Sequence, residues 1–306
     1  MKNSSEPQWW REDLKRLRSV EYIPETYINF FESIFSAHYR AKDHLVKETV
    51  YPSLGRKDVR EMLAERVPFI HFDRMSIGPL REHLREHFRE ICSIIGKCED
   101  PGRIENFAGS ENCRDLEDLI RKTLSYDPDC LREISQKTGI DGSTLEFVAL
   151  ALARPLFELA AEDMKAMLAE YPWWQNYCPA CGGTPFIARI RREDGMRMLR
   201  CSLCAVEWKF ARVKCPFCNN EEQRSLRFFY YHEASPYRLY ICDRCKRYIK
   251  CVDERKIDQT RTVDLAIEDM ITLCFDALGR QKGYLSPSSL SEVVTPGIKA
   301  RQKNKE

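Results

Sequence analysis

The sequence of 306 residues predicts an α+β protein with a mainly α-helical N-terminal domain and a cysteine-rich second half. Through the first 170 residues, apolar residues recur at the spacing of amphipathic helices. Eight of the fourteen cysteines form four Cys-x-x-Cys pairs within 68 residues, a pattern typical of metal-ligand turns. A segment around one pair recurs without gaps around another, which indicates two tandem modules. With 43% apolar residues, the chain can bury a sizeable core.

Five stretches before the cysteine-rich region carry helical patterns. Pro24 suits the first turn of the first helix, and Gly96 ends the second. Shorter helices are predicted at residues 115–124 and 129–137, and the longest at 144–170, where Pro155 predicts a kink or a split. The apolar positions of the first two helices are Tyr27, Phe30, Phe31, Ile34, Phe35 and Tyr39, then Leu80, Leu84, Phe88, Ile91 and Ile95. We interpret the aromatic stripe of the first helix as core, with a ligand groove as the alternative.

The domain organisation predicted from these patterns has four parts. A helical domain spans residues 1–172, a tandem metal-binding domain with four cysteines per module spans 173–254, a C-terminal helix packing on the body spans 255–285, and a flexible tail spans 286–306. The apolar face of the C-terminal helix is formed by Val263, Ile267, Met270, Ile271, Cys274, Phe275 and Leu278.

Each Cys-x-x-Cys pair can bind one tetrahedral metal ion from one side, and a second pair about twenty residues later completes a four-sulfur shell. Gly182 directly follows the first pair, and Asn219 directly follows the third. Both residue types tolerate the positive φ that a tight turn around sulfur requires. The four pairs therefore predict two closed four-cysteine sites.

The internal repeat decides how the pairs combine. Residues 197–209 align without gaps with residues 238–250, so each module is expected to close its own shell. A cross-braced arrangement, in which the first pair joins the third, contradicts this alignment. The predicted metal ligands are Cys178, Cys181, Cys201 and Cys204 in one site, and Cys215, Cys218, Cys242 and Cys245 in the other.

Full four-sulfur shells favour structural metal over metal catalysis, because no ligand position is left for a water or a substrate. The ion itself is left open: iron in such a shell cycles by one electron and zinc does not. The two modules are therefore predicted to be rubredoxin-like or zinc-ribbon-like, with one iron or zinc ion each.

The N-terminal residues lack the apolar stretch of a secretory signal. The longest apolar run of the helical region, residues 147–153, is too short to cross a bilayer. We therefore expect a cytoplasmic protein without membrane insertion, whose reduced thiols bind metal rather than form disulfides. Residues 178–251 carry a net charge of +8, which two divalent ions bound by four thiolates each lower to about +4. That charge is weaker than a dedicated DNA-binding protein requires.

For the other cysteines and histidines we prefer structural roles to functional ones. Cys251 is a candidate reactive thiol, but a small buried apolar residue is the preferred interpretation. If their segment is a strand, His71 and Asp73 share one face, where a local hydrogen bond is expected; the alternative, a catalytic His-Asp dyad, needs a serine or cysteine partner that the sequence does not name. His83 and His87 have the i, i+4 spacing of metal ligands, yet they lie in a charged stretch that we interpret as a solvated face. The unpaired cysteines interpreted as core are Cys92, Cys98, Cys113, Cys130 and Cys274.

Enzyme signatures are missing from the sequence. No GxGxxG, Walker A, GxSxG or HExxH pattern appears, so we predict no catalytic residue, no organic cofactor and no enzymatic activity.

The cysteine-rich half resembles one family over about 110 residues. The residues that carry the resemblance are the four cysteine pairs in their order and spacing, Glu207-Trp208, Tyr248-Ile-Lys250, Asp269-Met-Ile-Thr-Leu273-Cys-Phe-Asp276 and Gly283-Tyr284. In this order the sequence is similar to the FdhE family of formate dehydrogenase accessory proteins. Ordinary zinc ribbons lack the Glu-Trp element and the acidic C-terminal helix.

The resemblance implies a cytoplasmic maturation factor, or chaperone, rather than an enzyme. Proteins of this family are thought to bind the catalytic, molybdenum- or tungsten-containing subunit of formate dehydrogenase before its export. On this hypothesis that subunit, and no nucleic acid, is the partner, and it docks at exposed loops such as residues 219–225 and 231–238. Basic residues that could steer an acidic partner are Arg189, Arg191, Arg192, Arg244, Lys246 and Arg247.

Two other functions stay open at this point, namely an iron-based electron carrier and a nucleic-acid-binding ribbon protein. Whether the chain forms a homodimer, and whether the metal sites sense redox state, is also left open.

Overall fold

The computed structural model describes residues 8–45, 55–75, 77–97, 101–109, 116–124 and 128–287. The α-helices of these residues are α1 (Gln8–Arg18), α2 (Glu25–Leu45), α3 (Arg56–Ala64), α4 (Arg81–Ile95), α5 (Pro101–Gly109), α6 (Leu116–Leu124), α7 (Pro128–Thr138), α8 (Gly142–Ala161), α9 (Lys165–Glu170), α10 (Leu265–Ile271) and α11 (Leu273–Gln281). The strands are β1 (Pro185–Ile190), β2 (Arg197–Cys201), β3 (Glu207–Phe210), β4 (Leu226–Phe229), β5 (Tyr237–Cys242) and β6 (Arg247–Asp253). The α+β class predicted from the sequence is confirmed. The part of the predicted tail beyond residue 287 lies outside the described residues.

The described residues group into two compact units. A helical unit contains those of Pro24–Gly55 and Ile70–Glu162, and a ribbon unit contains those of Pro7–Ile23, Arg56–Phe69 and Asp163–Glu306. Helices α1 and α3 therefore belong to the ribbon unit, although they precede most of the helical unit in the chain. The four domains drawn from the sequence stay a prediction.

The helical unit is organised by α2, α4 and α8, which pack against one another. All five apolar positions predicted for the second helix are buried, and α4 ends at Gly96 as the sequence predicts. Helix α8 begins after Asp141, whose carboxylate accepts hydrogen bonds from the backbone N–H groups of Ser143 and Thr144, both at 3.0 Å. Such a cap satisfies amide groups that the first turn of a helix leaves unpaired.

The core face of α2 differs from the predicted one. Its buried residues are Ile28, Ile34, Ala37, Ala41 and Leu45. Of the aromatic stripe only Ile34 is buried; the rings are half-buried beside this face and contact each other, as in the Tyr27–Phe31 pair at 4.6 Å between centroids. Small alanines on the core face allow a close approach of the neighbouring helices, and this displaces the larger rings to the border.

Pro155 lies inside α8 without splitting it; the break falls instead at a 3₁₀ turn, Glu162–Met164, between α8 and α9. Proline has no N–H to donate to the carbonyl oxygen four residues earlier, here that of Ala151. His87 of α4 supplies the missing donor, since its Nε2 lies 3.2 Å from the Ala151 oxygen. Burial lowers the pKa of His87 to about 4, so the ring is neutral at pH 7 with its proton on Nε2.

The ribbon unit is built on a mixed sheet with the strand order β3-β2-β1-β6-β5-β4. Neighbouring strands are antiparallel except β1 and β6, which are parallel from Ile187↔Lys250 to Ile190↔Asp253. Strands β1–β3 form a first ribbon and β4–β6 a second one. The two ribbons therefore join head to tail, because the first strand of one pairs with the last strand of the other.

This arrangement leaves the two ribbons unequal at one edge. Strands β1 and β4 hold equivalent places, since each is the first strand of its ribbon. Strand β6 covers the edge of β1 that faces away from β2. Within the described part of the chain no strand covers the equivalent edge of β4. The opposite end strand, β3, packs against α9, where Glu170 accepts a hydrogen bond from Lys209 at 2.8 Å.

The predicted C-terminal helix is divided into α10 and α11 at Thr272. The Thr272 hydroxyl donates to the Glu268 carbonyl oxygen at 2.7 Å, and its backbone leaves the helical region at φ −97° and ψ 26°. A threonine that bonds back to the preceding turn commonly bends a helix. The division lets both helices bind the same strand, because Asp269 of α10 and Asp276 of α11 both pair with Lys250 of β6.

Helix α1 is tied to the ribbon unit through Glu268 of α10, which is completely buried. Its carboxylate accepts hydrogen bonds from Arg16 of α1 at 2.6 Å, from the Tyr237 hydroxyl at 2.7 Å, and from Arg261. A buried carboxylate is stable only when such partners replace its hydration. None of the described helices is long and apolar enough to cross a membrane.

The bond between His87 and Ala151 can be tested with a double-mutant cycle. We expect His87→Leu to lower the free energy of unfolding by about 1–3 kcal/mol, because it leaves a buried carbonyl oxygen without a donor. In a Pro155→Ala background, where residue 155 regains its N–H, the same change should cost about 1 kcal/mol less. Urea unfolding followed by circular dichroism measures both values. Equal costs in the two backgrounds would contradict this role of His87.

Candidate metal centres

The eight predicted ligand cysteines gather in two groups of four, in the sequential order that the repeat predicts. In the first group the sulfur atoms of Cys178 and Cys204 are 3.4 Å apart, and Cys181 lies 3.5 Å from both Cys201 and Cys204. The second group consists of Cys215, Cys218, Cys242 and Cys245, with sulfur distances of 3.7 Å for the Cys215–Cys245 and Cys218–Cys242 pairs.

These distances suit a tetrahedral ion. Four sulfurs about 2.3 Å from one ion lie about 3.8 Å from each other. The second group meets this value closely, and the first is tighter by a few tenths of an ångström. Each group could therefore hold one metal ion, and the four thiolates would complete its shell. Iron and zinc both fit such a shell.

One turn geometry occurs four times around these cysteines. The residue after the second cysteine of every pair has a positive φ: 72° at Gly182, 56° at Ala205, 58° at Asn219 and 55° at Lys246. In three turns its N–H donates to the carbonyl oxygen of the first cysteine, at 2.9 Å for Gly182, 3.1 Å for Asn219 and 2.9 Å for Lys246. The prediction for Gly182 and Asn219 is confirmed. The sequence gives no signal at Ala205 or Lys246, where a side chain is held in a conformation that L-residues rarely adopt.

The turns also direct amide groups toward sulfur. Backbone N–H groups of Gly183 and Leu203 donate to the sulfurs of Cys181 and Cys201, both at 3.4 Å. In the second group the side-chain amide of the buried Asn220 donates to Cys242 at 3.7 Å. Such donors stabilise a thiolate and orient it. Asn220 was not predicted from the sequence, which shows only that it adjoins the third pair.

The two groups differ in their exposure to solvent. All four cysteines of the first are buried, whereas Cys218 and Cys245 of the second are half-exposed. Burial raises the pKa of Cys218 to about 11, and a hydrogen bond with Cys245 together with burial raises that of Cys215. Without an ion these thiols keep their protons at pH 7. An entering cation must displace these protons, so its affinity rises with pH.

Comparison with known proteins bears on the same segment. The family model for the FdhE central domain matches residues 177–212, which contain the first cysteine group. A protein FdhE homolog of Aquifex aeolicus is 26% identical over 87% of this chain and 88% of its own length. The protein FdhE of Escherichia coli O127:H6 is 34% identical over 53% of this chain. The chain is therefore similar to FdhE proteins, in one case over most of its length.

The extent of the FdhE similarity varies among these relatives. The match covers 52% of the E. coli protein, so the chain spans about half the length of that relative. The crystal structure of the FdhE protein from Pseudomonas aeruginosa superimposes on this chain with a TM-score of 0.60. The match covers 92% of this chain and 94% of the Pseudomonas chain, at 20% sequence identity. At that identity the likeness concerns the fold.

Residues that carried the FdhE resemblance outside the cysteines have structural partners. Lys250 is 3% exposed and pairs with Asp269 at 2.7 Å and Asp276 at 2.6 Å, and the Tyr248 hydroxyl donates to Asp276 at 2.7 Å. The Trp208 ring N–H donates to the Gln175 carbonyl oxygen at 3.0 Å. The acidic helix motif therefore holds α10 and α11 on β6.

The cysteines outside the two groups do not form a further site among the described residues. Cys251 is buried, and burial raises its pKa to about 11, so its thiol is not activated. Cys92 is buried as predicted, whereas Cys274, also predicted as core, is half-exposed, with its sulfur 3.6 Å from the Tyr22 hydroxyl. The side chains of the other three cysteines interpreted as core lie outside the described residues; these are Cys98, Cys113 and Cys130.

The histidine predictions need correction. The segment containing His71 is not a strand: Phe72–Arg74 forms a 3₁₀ turn, and Asp73 pairs with Arg121 at 2.9 Å. The solvated face predicted for His83 and His87 is wrong for His87, which points into the core to serve α8.

Most of the predicted steering charges are used within the fold. Arg189 pairs with Glu207 at 2.7 Å and Glu254 at 2.8 Å, and Arg191 pairs with Glu170 at 2.6 Å. Arg192 donates to backbone carbonyl oxygens, and Arg247 is buried over the Phe217 ring. Of the six basic residues, Arg244 and Lys246 remain exposed.

Replacement of one sulfur tests the metal assignment. We expect Cys201→Ser to lower the metal content from two ions per chain toward one, because the first shell loses a ligand. Cys251→Ala is the matched control, since it removes a buried thiol of the same sheet outside both groups, and it should keep two ions. Elemental analysis of anaerobically purified protein measures the ratio. Two ions retained in Cys201→Ser would overturn the assignment.

Proposed function

We propose that this chain is a cytoplasmic accessory factor that binds the catalytic subunit of formate dehydrogenase and is needed for assembly of the active enzyme. The similarity to FdhE proteins is the observation that supports the proposal. The chain acts as a binding partner and not as an enzyme. The two cysteine groups favour this view, because four sulfurs complete the shell of a tetrahedral ion and leave no position for a substrate.

The metal ions in this proposal hold the ribbons in shape. Cysteine pairs lie at the ends of strands β2 and β5, so an ion at each group fixes the turn from which the next strand starts. Redox sensing, if the ion is iron, belongs to the second group, because its half-exposed Cys218 and Cys245 are the sulfurs that solvent can approach.

We place the client contact on the open edge of β4. This edge is equivalent to the edge of β1 that pairs with β6. The first ribbon therefore binds a parallel strand at the position that is open in the second ribbon. Backbone N–H and C=O groups at an uncovered edge are a template for an added strand. The occupant is an extended segment of the catalytic subunit, added as a seventh strand.

The side chains along this edge suit a partner surface. Phe228 and Tyr230 are 45% and 50% exposed, and their ring centroids are 5.8 Å apart. Arg238 lies over the Phe228 ring at 5.2 Å. Exposed aromatic residues beside arginine are the usual anchors of protein interfaces. By contrast, four of the six residues of β1 are buried.

A pull-down from cells that grow on formate tests both parts of the proposal. Tagged wild-type chain should recover the catalytic subunit, and it should restore formate dehydrogenase activity to a deletion strain. The double variant Phe228→Ser, Tyr230→Ser should recover at least about tenfold less, because it removes the anchors of the edge. Val213→Ser, which alters an exposed apolar residue outside the edge, should behave as wild type.

The two parts can fail separately. A wild-type chain that never recovers the subunit, with full enzyme activity in the deletion strain, would refute the function. Equal recovery by wild type and double variant would refute the β4 docking edge alone. Two ions per chain in each variant would show that the ribbons stay folded.

A further inference from the structure

A cluster of three metal-binding side chains lies in the helical unit, apart from the cysteines. His83 and Glu86 are three positions apart on α4, which places them on the same side of the helix. His44 lies at the end of α2, which packs against α4. One imidazole nitrogen from each histidine and one carboxylate oxygen of Glu86 all lie within 4.8 Å of each other.

The state of His83 indicates a missing partner. Its Nδ1 atom is shielded from solvent and has no hydrogen-bond partner, although 42% of the side chain is exposed. This nitrogen lies 3.7 Å from the Glu86 oxygen, beyond hydrogen-bond distance, and the His83 and His44 ring centroids are 5.6 Å apart. A ring nitrogen kept from water needs a proton acceptor, a donor or a cation.

The separations leave room for an ion. Two ligand atoms about 2.1 Å from one tetrahedral ion lie about 3.4 Å apart, close to the 3.7 Å between His83 and Glu86. The third ligand atom needs to move by about 1 Å, which a rotation of the exposed His44 side chain provides.

The surroundings favour a cation. The cluster borders a cavity of about 140 Å³. Besides the histidines, the charged residues that line it are Arg40, Glu86 and Glu90, whose charges sum to −1. Arg40 is paired with Glu90, which leaves the Glu86 carboxylate to the cluster.

We propose that His44, His83 and Glu86 form a third metal site, which binds a divalent transition cation of the zinc, cobalt or nickel class. Two imidazoles and one carboxylate suit these borderline ions better than calcium or magnesium, which prefer oxygen ligands. Three protein ligands leave at least one coordination position open toward the cavity, unlike the closed shells of the cysteine groups. This site is independent of the proposed accessory function.

The proposed pairing of His83 with His44 differs from the pairing of His83 with His87 that the sequence spacing suggests. His83 and His87 are one turn apart, but the Nε2 of His87 is used by the Ala151 carbonyl oxygen. The partner of His83 is instead His44, which is 39 positions earlier and is brought to it by the packing of α2 on α4.

A zinc titration of the full chain tests the site. Protein whose two cysteine groups are already loaded is dialysed against increasing free Zn²⁺, and bound metal is measured by elemental analysis. Wild type should reach three ions per chain. His44→Gln, His83→Gln and Glu86→Gln should keep two ions and bind the third at least about 100-fold more weakly, since each lacks one of three ligands. His232→Gln, which alters an exposed histidine outside the cluster, should bind three.

Two outcomes would overturn the proposal. One is a wild-type titration that ends at two ions per chain. The other is a third ion that binds equally well to wild type and to all three cluster variants, because it would then lie elsewhere. The two ions retained by the cysteine groups, together with unchanged circular dichroism, report that each variant is folded. Co²⁺ used as the third ion should add visible absorption without the sulfur-to-metal charge-transfer bands of thiolate ligands.

Discussion

The ribbon unit depends on two groups of four cysteine sulfur atoms, each group arranged around one point. Each cysteine group joins the turn before the first strand of a ribbon to the turn between its second and third strands. The strands are only four to seven residues long, so an ion at each group would contribute a large share of the order by fixing the turns. The cost of the geometry is visible at Ala205 and Lys246, which adopt positive φ values that their side chains disfavour.

A second constraint couples the sheet to the helices that cover it. Lys250 is buried in β6 and is neutralised by two aspartates, one on each C-terminal helix. Gly279 lets α11 pack closely on Tyr248 of the same strand, because a Cβ atom at this position would lie only 2.6 Å from the Tyr248 ring. Strand β6 covers the edge of β1, whereas no strand among the described residues covers the equivalent edge of β4, where we propose that a partner strand binds.

Sequence patterns predicted the parts of this structure that follow from local chemistry. The spacing of cysteines gave both groups and their sequential order, since a Cys-x-x-Cys turn needs few residues and the repeat orders the turns. The stripe from Leu80 to Ile95 gave α4 because a single apolar face decides its burial. The failures have a tertiary cause. Pro155 is tolerated inside α8 because His87 of another helix supplies the missing donor, and sequence does not reveal that contact. Several of the basic residues predicted to steer a partner are instead used in contacts within the fold, such as Arg189, which pairs with Glu254.

The central claim is that each cysteine group holds one metal ion in a closed shell of four sulfurs. X-ray absorption spectroscopy at the metal edge tests it most directly, on wild-type protein dialysed against a mild chelator that strips ions held by fewer ligands. The account predicts two ions per chain, each with four sulfur neighbours at about 2.3 Å and no nitrogen or oxygen neighbour. A shell that contains nitrogen or oxygen, or a protein that keeps its ribbon fold with no ion bound, would contradict it.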